Sequence, residues 1–416
     1  MPTGSGQRPE HRWRMTAGAA GTARGGAARF DDLRAGTAIR FPAPSGVLIA
    51  HRPDEVGPVL DLVHRATSHG RWAFGFLAYE AAAGLDPELA VHPPPQEGLP
   101  LAWFGITGPP TPVPAVSSSA EVGDFDVRWG THWSPAEHRA LVDRVRERIA
   151  AGETYQTNLT VRMRGSFAGD PAGLYRDLAT AQCGAYNAYL DLGRFAIASA
   201  SPELFFELRG DEVSMRPMKG TAPRGRDQVE DLALERALLG SAKERAENVM
   251  IVDLMRNDVA QVAVPGTVRV PSLLSVERYP TVLQLTSDVT ARLRPGVGLR
   301  ELFRALYPCG SVTGAPKVST MHLIRELEAD PRGVYCGAVG WLAPPSASVR
   351  ARFNVAIRTA VVDREAGRAQ YGTGSGITWS SDAAAEHREL LVKAEILRRS
   401  AVARECPHPG WKTSAT

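Results

Sequence analysis

Cysteine is rare in this chain, and it has neither long apolar runs nor an excess of one charge. Four of the 416 residues are cysteines, and none forms a C-x-x-C pair, which argues against a disulfide framework and a zinc knuckle. No apolar run approaches the roughly 20 residues of a membrane span. The 48 basic and 45 acidic residues leave a net charge of +3, too small for a large nucleic-acid-binding face. We therefore expect a cytoplasmic protein with reduced cysteines that binds neither membranes nor nucleic acids.

Lysine is also scarce, because arginine accounts for all but five of the basic residues. The five are Lys219, Lys243, Lys317, Lys393 and Lys412. Such a bias indicates that arginine serves wherever a generic positive charge suffices. A lysine that is kept can mark a position that needs a compact ammonium group or a nucleophilic amine. The alternative is that five lysines are a random remainder of the bias.

The apolar pattern mixes helices with hairpins and has no regular βαβ rhythm. A helix is predicted over 135–151, because Ser134 and Glu137 form a capping box at its start. Alternating segments around Gly193 and around 209–212 predict two β-hairpins. Further elements are predicted as helices over 228–257 and 298–306, from Pro316 and after Ser381, and as strands over 338–342, 355–362 and 369–372. The mixture predicts an α+β fold with largely antiparallel sheets.

Composition divides the chain into four parts. Residues 1–29 are rich in Gly, Ala and Arg and are predicted to be a disordered tail. Residues 30–130 form the N-terminal portion of the fold, with a Pro- and Ser-rich surface loop at 108–120. Residues 131–400 contain the segments whose side chains could take part in catalysis, and 401–416 are predicted to be a second tail.

A carboxyl group and an amine are predicted to lie at one end of the second hairpin. If this hairpin turns at Gly210 and Asp211, Glu203 pairs with position 218, and Pro217 ends the strand next to Lys219. The pair offers a proton donor beside a nucleophile. The alternative is a cross-strand ion pair, and spacing alone favours that alternative.

Two helical segments present carboxylates on one face. Glu244 and Glu247 are three residues apart, and so are Glu386 and Glu389. Together the two faces could hold Mg²⁺, which prefers a few carboxylates, water and substrate oxygens. Taken singly, each face is more simply explained as a solvated surface, with Glu244 in a helix cap and Glu389 paired to Lys393.

Two glycine-containing segments could approach a ligand closely. In Gly310–Lys317 the free amides and Thr313 precede a helix and could face an anion, although the spacing is not that of a nucleotide P-loop. In Gly372–Gly376 every second residue is glycine, which leaves one strand face bare. The alternative for both is tight turn geometry.

Read together, these segments resemble the chorismate-utilising enzyme family, and within it the aminodeoxychorismate synthase branch. The resemblance covers roughly residues 134–397. The matching segments lie at 152–159, 201–203, 217–221, 243–248, 310–317, 335–340, 372–377 and 386–393. It implies two packed antiparallel sheets with helices outside, and a cleft that binds chorismate and Mg²⁺.

The resemblance also implies roles for individual residues. Glu203 matches the general acid that protonates the departing hydroxyl, and Lys219 matches the nucleophile that adds to the ring. Glu247 and Glu389 match metal ligands, with Glu244 and Glu386 beside them. Substrate-binding positions are matched by Gln156, Gly220, Thr221, Thr313, Tyr335, Arg358, Gly374, Gly376 and Lys393.

Three positions bear on the branch of the family. Anthranilate synthases resemble the chain but usually have Ala at Lys219, and isochorismate and salicylate synthases have a water-activating lysine at Gln156. Many relatives have His where this chain has Gln284, whose contacts the sequence does not reveal. The resemblance therefore implies amination of chorismate to 4-amino-4-deoxychorismate, for folate or another aminobenzoate-derived metabolite. Ammonia would come from a separate glutamine amidotransferase subunit. The alternatives are an anthranilate synthase component or other ammonia-using chorismate enzyme, and a silent partner subunit.

Overall fold

The computed structural model of the chain describes residues 26–95, 97–119, 122–130, 133–279 and 282–397. The strands in these ranges are β1 (Ala27–Asp32), β2 (Thr37–Phe41), β3 (Gly46–Ala50), β4 (Trp72–Leu77), β5 (Ala102–Thr107), β6 (Thr111–Pro114), β7 (Phe125–Trp129), β8 (Gln156–Gly169), β9 (Tyr186–Asp191), β10 (Phe195–Ser201), β11 (Leu204–Arg209), β12 (Glu212–Arg216), β13 (Met218–Pro223), β14 (Arg269–Arg278), β15 (Val282–Arg292), β16 (Gly314–Ala315), β17 (Ala338–Leu342), β18 (Ala351–Val355), β19 (Thr359–Asp363) and β20 (Arg368–Thr378). The helices are α1 (Pro53–Ser68), α2 (Pro135–Ala150), α3 (Pro171–Gln182), α4 (Gln228–Gly240), α5 (Ala242–Ala260), α6 (Leu299–Leu306), α7 (Lys317–Leu327) and α8 (Ala383–Ala394).

These strands form two sheets in which every pairing is antiparallel. The first has the order β16-β8-β20-β19-β10-β9-β1-β2-β6, and β7 also pairs with β8. The second has the order β13-β15-β12-β11-β18-β17-β4-β5-β3, and β14 also pairs with β15. Strands from 30–130 occur in both sheets, so this N-terminal portion and the later region build one fold.

An aromatic layer joins the two sheets face to face. Phe41 of the first sheet packs on Phe74 of the second, with ring centroids 5.4 Å apart, and Trp103 packs on Phe74 from within the second sheet. Helices α1, α5 and α6 cover the outer face of the second sheet, whereas α2, α3 and α8 cover that of the first. The predicted α+β class, with two packed antiparallel sheets flanked by helices, is confirmed. None of the helices in the described ranges has the length and apolar character to cross a membrane.

The N-terminal boundary of the fold differs from the prediction. Strand β1 begins at Ala27, and Ala28 is buried in the aromatic layer, so residues 27–29 belong to the fold and not to a disordered tail. The rest of that predicted tail, residues 1–25, and the tail at 401–416 lie outside the described residues. The predicted loop at 108–120 contains β6, which pairs with β2.

Backbone conformation explains two further differences. The predicted strand over 355–362 is interrupted: Val355 ends β18 and β19 begins at Thr359, because Arg358 has a φ of 49°, a left-handed conformation that a strand does not allow. The predicted helix over 228–257 is two helices, since the extended backbone of Ser241 ends α4 and caps α5. By contrast, the capping box of Ser134 and Glu137 at the start of α2 is confirmed.

The cysteines also differ in part from expectation. Cys309 and Cys336 are buried free thiols, as expected for reduced residues. Cys183 is disulfide-bonded, so the expectation that every cysteine is reduced is wrong for this residue. Two of the three described cysteines therefore act as small buried side chains.

A buried ionic cluster ties the end of α7 to strand β8. Glu328 contacts Arg332 at 2.6 Å and Arg162 at 3.2 Å, and all three side chains are at most 3% exposed. Arg332 also donates to the carbonyl oxygens of Val312 and Asn158. Because a buried guanidinium that loses its counter-ion is costly, the cluster should depend strongly on the single carboxylate.

We expect Glu328→Gln to lower the free energy of unfolding by about 3 kcal/mol, since two buried guanidinium groups lose their counter-ion. Urea denaturation monitored by circular dichroism measures the loss. The matched control is Glu326→Gln, which removes half-exposed ion pairs to Arg144 and Arg148 and should cost under about 1 kcal/mol. Equal losses in the two variants would contradict the assignment.

Candidate active site

Glu203 lies in the segment that carries the chain from one sheet to the other. Strand β10 ends at Ser201 in the first sheet, and β11 begins at Leu204 in the second. The Ser201 hydroxyl donates to the carbonyl oxygen of Val355 at 2.6 Å and accepts from the Glu203 amide at 3.2 Å. These bonds fix the crossover, and with it the direction of the Glu203 side chain.

The Glu203 carboxyl is held in an apolar environment. It is 2% exposed, and its Oε1 atom has no hydrogen-bond partner among the described residues. Burial raises the pKa of Glu203 to about 7, against opposing effects of Ser311 and Lys219. A carboxyl group that keeps its proton near neutral pH can act as a general acid.

Lys219 reaches the same cleft from β13. A Cβ atom at Gly376 would lie 3.2 Å from Lys219 Nζ and 2.5 Å from Gln156 Nε2, so the ammonium group and the amide meet over this glycine. Lys219 also interacts electrostatically with Glu203. The structure thus brings Glu203, Lys219, Gln156 and Gly376 close together.

The register of the hairpin differs by one residue from its prediction. A bulge between Leu204 and Glu207 places Leu204 opposite Arg216, whereas the hairpin turn alone would place it opposite Pro217. The break at Pro217 is as predicted, because β12 ends at Arg216 and β13 begins at Met218. Glu203 thus stands just before β11, and Lys219 stands in β13 just after the break.

Gln284 holds the Lys219 segment to β15. Its amide nitrogen donates to the Gly220 carbonyl oxygen at 2.9 Å, and its oxygen accepts from the Thr221 hydroxyl at 3.0 Å. Asn248 of α5 donates to the Lys219 carbonyl oxygen at 3.3 Å. Thr221 therefore uses its hydroxyl within the protein, and Gln284 fixes the backbone on which Lys219 stands. Sequence reasoning missed Asn248 and left Gln284 without a contact.

The carboxylates of α5 and α8 face each other across Lys243. Lys243 Nζ lies 3.9 Å from Glu247 Oε1 and 3.7 Å from Glu386 Oε1. Electrostatic interactions also join these groups to Glu244 and Glu389. The predicted meeting of the two acidic helix faces is thus found, with a lysine between them that the sequence had not assigned.

The charge environments of these carboxylates differ. Burial raises the pKa of Glu247 and of Glu244. The ammonium group of Lys393, 2.7 Å away, holds the pKa of Glu389 below its usual value. Glu386 is 3% exposed and accepts a hydrogen bond from the Ser381 hydroxyl at 2.7 Å. The four carboxylates therefore include an oxygen atom without a hydrogen-bond partner, Glu247 Oε1, and oxygen atoms bonded to Ser381 and Lys393.

The donor set suits Mg²⁺, although no ready-made cage is present. Within the described ranges, no three His, Cys, Asp or Glu side chains converge closely enough to bind a metal. Glu247 Oε1 is nevertheless buried without a hydrogen-bond partner. Since Mg²⁺ takes only one or two protein carboxylates and completes its shell with water and substrate oxygens, the residues present fit that ion.

Strand β20 places its alternate glycines against other parts of the site. A Cβ atom at Gly372 would overlap the Tyr335 ring at 2.2 Å. The Gly374 carbonyl oxygen accepts from Lys393 Nζ at 3.0 Å. Gly376 lies beneath the Lys219 ammonium group. Other residues of the chain therefore require glycine on this strand face. The same bare face leaves room for a ligand.

Arg358 is a cation whose charge is not balanced by a carboxylate among the described residues. None of the carboxylates in the described ranges forms an ion pair with it, and burial lowers its pKa. The hydroxyl-bearing rings of Tyr371 and Tyr279 lie near enough to interact with it electrostatically. Its left-handed backbone is a strained conformation of the kind found at functional sites. An anionic ligand would supply the missing counter-charge.

The segment Gly310–Lys317 is folded more tightly than predicted. Thr313 is buried, and its hydroxyl donates to the Cys309 carbonyl oxygen at 3.1 Å, so it does not face outward as an anion ligand. Ser311, which the sequence did not single out, is the hydroxyl that interacts with Glu203. Lys317 forms a buried ion pair with Asp258 at 2.8 Å, which anchors the segment to α5.

The scarce lysines are concentrated at this site. Lys219, Lys243 and Lys393 each interact with the facing carboxylates of α5 and α8, and Lys317 holds the adjoining segment. Lys412 lies outside the described residues. The interpretation that the retained lysines are needed as ammonium groups agrees with these four positions.

Comparison with known proteins assigns this chain to a family. The family model described as chorismate binding enzyme matches residues 113–399. The chain belongs to that family.

Family members with different products are similarly related to it. Aminodeoxychorismate synthase component 1 of Klebsiella aerogenes is 38% identical over 293 residues, covering 70% of this chain and 62% of the relative. Anthranilate synthase component 1 of Streptomyces coelicolor is 42% identical over 270 residues, covering 65% of this chain and 52% of the relative. The chain thus matches a little over half of the length of these relatives.

Solved structures support the fold. Anthranilate synthase component I from Streptococcus pneumoniae has a TM-score of 0.72 at 24% identity, covering 94% of each chain. An isochorismate synthase from Bacillus anthracis, described as putative and specific for 2,3-dihydroxybenzoate, has a TM-score of 0.72 at 20% identity, covering 92% of this chain and 98% of that one. At these identities the likeness establishes the arrangement of the two sheets.

The raised pKa of Glu203 predicts a pH-dependent stability difference. Between the ordinary pKa of 4.5 and the folded value of about 7, the native carboxyl keeps a proton that the unfolded chain releases. The resulting stabilisation is present below pH 4.5 and is lost as the pH rises through 7. Between pH 5 and pH 8 the wild type should lose about 2 to 3 kcal/mol relative to Glu203→Gln. Urea denaturation of both proteins across this range measures the difference, and parallel stability curves would contradict the assignment.

Proposed function

We propose that this protein is the chorismate-aminating component of an aminodeoxychorismate synthase. It converts chorismate and ammonia into 4-amino-4-deoxychorismate and water. The observation that carries the proposal is the convergence of a buried carboxyl with a raised pKa, Glu203, and a primary amine, Lys219, on the cleft beside Gly376 and Gln156. Family membership supplies the substrate class, and relatives named aminodeoxychorismate synthase support the product.

In the proposed mechanism, Lys219 and Glu203 replace one difficult substitution by two easier ones. The neutral amine of Lys219 forms a bond to ring carbon 2, both ring double bonds shift by one position, and the bond from carbon 4 to its hydroxyl breaks. Glu203 gives its proton to the departing hydroxyl, which leaves as water. Ammonia then bonds to carbon 4, both double bonds shift back, and the bond from carbon 2 to Lys219 breaks to release the lysine as an amine. The proton lost by the new amine restores Glu203.

Binding of the substrate dianion requires positive charge, and the chain supplies it on two sides. No carboxylate among the described residues forms an ion pair with Arg358, and Lys393 lies at the edge of the glycine strand through its bond to Gly374. When bound, Mg²⁺ held by Glu247 and Glu389, with Glu244 and Glu386 beside them, would neutralise the ring carboxylate. Gln156 presents an amide toward Lys219, so no side chain at that position can activate water for attack.

Anthranilate synthesis is the second candidate, because the Streptomyces coelicolor relative with that name is 42% identical. That reaction also aminates chorismate but releases pyruvate. Lys219 and Gln284 argue against it: the resemblance implies a small residue at the first position and His at the second. Gln284 is hydrogen-bonded to Gly220 and Thr221, and an amide is not a general base.

The ammonia source and the compartment complete the proposal. Relatives are named as component 1 of their synthases, which supports a second component. We infer that a separate glutamine amidotransferase subunit delivers ammonia to the cleft and that the pair acts in the cytoplasm. Ammonium salt should replace that subunit in a purified assay.

Purified protein supplied with chorismate, Mg²⁺ and ammonium salt should form 4-amino-4-deoxychorismate, identified by mass, without release of pyruvate. EDTA should abolish turnover, because the substrate dianion then lacks its metal. A coupled lactate dehydrogenase assay measures pyruvate directly. Stoichiometric pyruvate with anthranilate would establish the second candidate, and unchanged chorismate would exclude both.

Replacement of Lys219 separates nucleophilic from electrostatic catalysis. Lys219→Ala should lower the amination rate at least about 100-fold, since the covalent step is lost. Lys219→Arg should be equally inactive, because guanidinium keeps its proton and cannot attack the ring. Turnover is measured by product mass, with circular dichroism to verify folding. Substantial activity in the Arg variant would remove the covalent step from the mechanism.

A further inference from the structure

Lys243 occupies an unfavourable place on α5 for a lysine. It stands in the first turn of the helix, where the macrodipole disfavours positive charge. Its partner four residues later, Glu247, has the less favourable orientation for a helical ion pair. Helix energetics therefore does not account for the position of Lys243.

The surroundings of Lys243 do account for its position. The ammonium group lies between carboxylates of two different helices, 3.9 Å from Glu247 and 3.7 Å from Glu386. Glu244 and Glu389 add negative charge from the same two helices. Neither distance is short enough for a direct hydrogen bond, so the ammonium sits centrally in the carboxylate set and is not docked on one member. This is the place that a cation shared by the two helices would take.

The Lys243 side chain is also able to leave. It is 43% exposed, whereas the Glu386 side chain is 4% exposed and the Glu247 side chain 14%. A flexible four-carbon stem at the solvent edge can turn outward with little rearrangement, and the carboxylates would remain in place. The absence of a metal cage among the described residues is consistent with carboxylates arranged around an ammonium group.

We propose that Lys243 is a resident counter-ion that Mg²⁺ displaces from the carboxylates of α5 and α8, so that this lysine sets the affinity of the site for the metal. The inference rests on the proposed Mg²⁺-dependent function. Lys243 keeps the acidic helices together while the site awaits its ligands. Mg²⁺ and the substrate dianion then enter with cancelling charges, and Lys243 moves to solvent.

If Mg²⁺ exchanges with Lys243, the variant Lys243→Met should bind Mg²⁺ more tightly but be less stable without it. Lys243→Met removes the competitor, so Mg²⁺ alone should bind about tenfold more tightly, the equivalent of two lost partly exposed ion pairs. The same variant should unfold at a lower temperature in EDTA, because the carboxylates repel one another. Saturating Mg²⁺ should close that gap. A purely structural ion pair would lower stability without tightening metal binding.

Isothermal titration calorimetry of the full chain with Mg²⁺ alone measures the affinity, and thermal unfolding with EDTA or excess Mg²⁺ measures the stability. Arg245→Gln is the matched control, because Arg245 is an exposed cation two residues along α5. Its Kd should remain within about twofold of that of the wild type. Lys243→Arg keeps the charge and should retain weak binding.

Tighter binding in Lys243→Met only, or binding detected in that variant and not in the wild type, supports the exchange. Equal or weaker binding, equal tightening in Arg245→Gln, or no binding in any variant overturns it. These outcomes do not depend on turnover. Amination by the wild type with Mg²⁺ tests the proposed function independently, so the two proposals can fail separately.

Discussion

Charge compensation between α5 and α8 is the constraint on which the site depends. Two helices from opposite sheets bring four carboxylates toward one cleft, and such a set would repel itself without internal cations. Lysines 219, 243 and 393 provide them, each from a different element. In a chain that otherwise uses arginine, lysine is kept at positions that suit a compact ammonium group able to lose its proton. A guanidinium group is larger and stays protonated.

The two-sheet architecture explains how these groups meet. Glu203 lies where the chain passes from one sheet to the other, and Lys219 follows a proline that interrupts the second sheet. Glycines of β20 remove side chains from the facing strand of the first sheet, so the amine can approach its backbone. Both sheets are fixed by many antiparallel pairings, which favours the preorganised placement of acid and nucleophile between them.

Much of the site could be predicted from sequence, but its internal contacts could not. Glu203, Lys219 and the two acidic helix faces lie in short segments whose order along the chain is informative. Gln284 and Lys243 act through residues distant in sequence, so only tertiary packing reveals their partners. Local conformation caused the other errors. The left-handed backbone of Arg358 breaks a strand that its apolar neighbours favour, and a bulge shifts the hairpin by one residue. Thr313 has the spacing of an anion ligand but turns inward.

The fold itself does not select the reaction. Solved structures named as an isochorismate synthase and an anthranilate synthase, 20% and 24% identical to this chain, both share its arrangement of sheets. Selection must therefore lie in side chains that touch the ring. A lysine at 219 permits a covalent adduct that a small residue cannot form, and an amide at 156 cannot activate water. Gln284, held by backbone and hydroxyl contacts, has no proton-accepting nitrogen to remove a ring proton for pyruvate release. Each of these features acts on a different step. Their coincidence at one site therefore supports the proposal of an amination that stops before elimination.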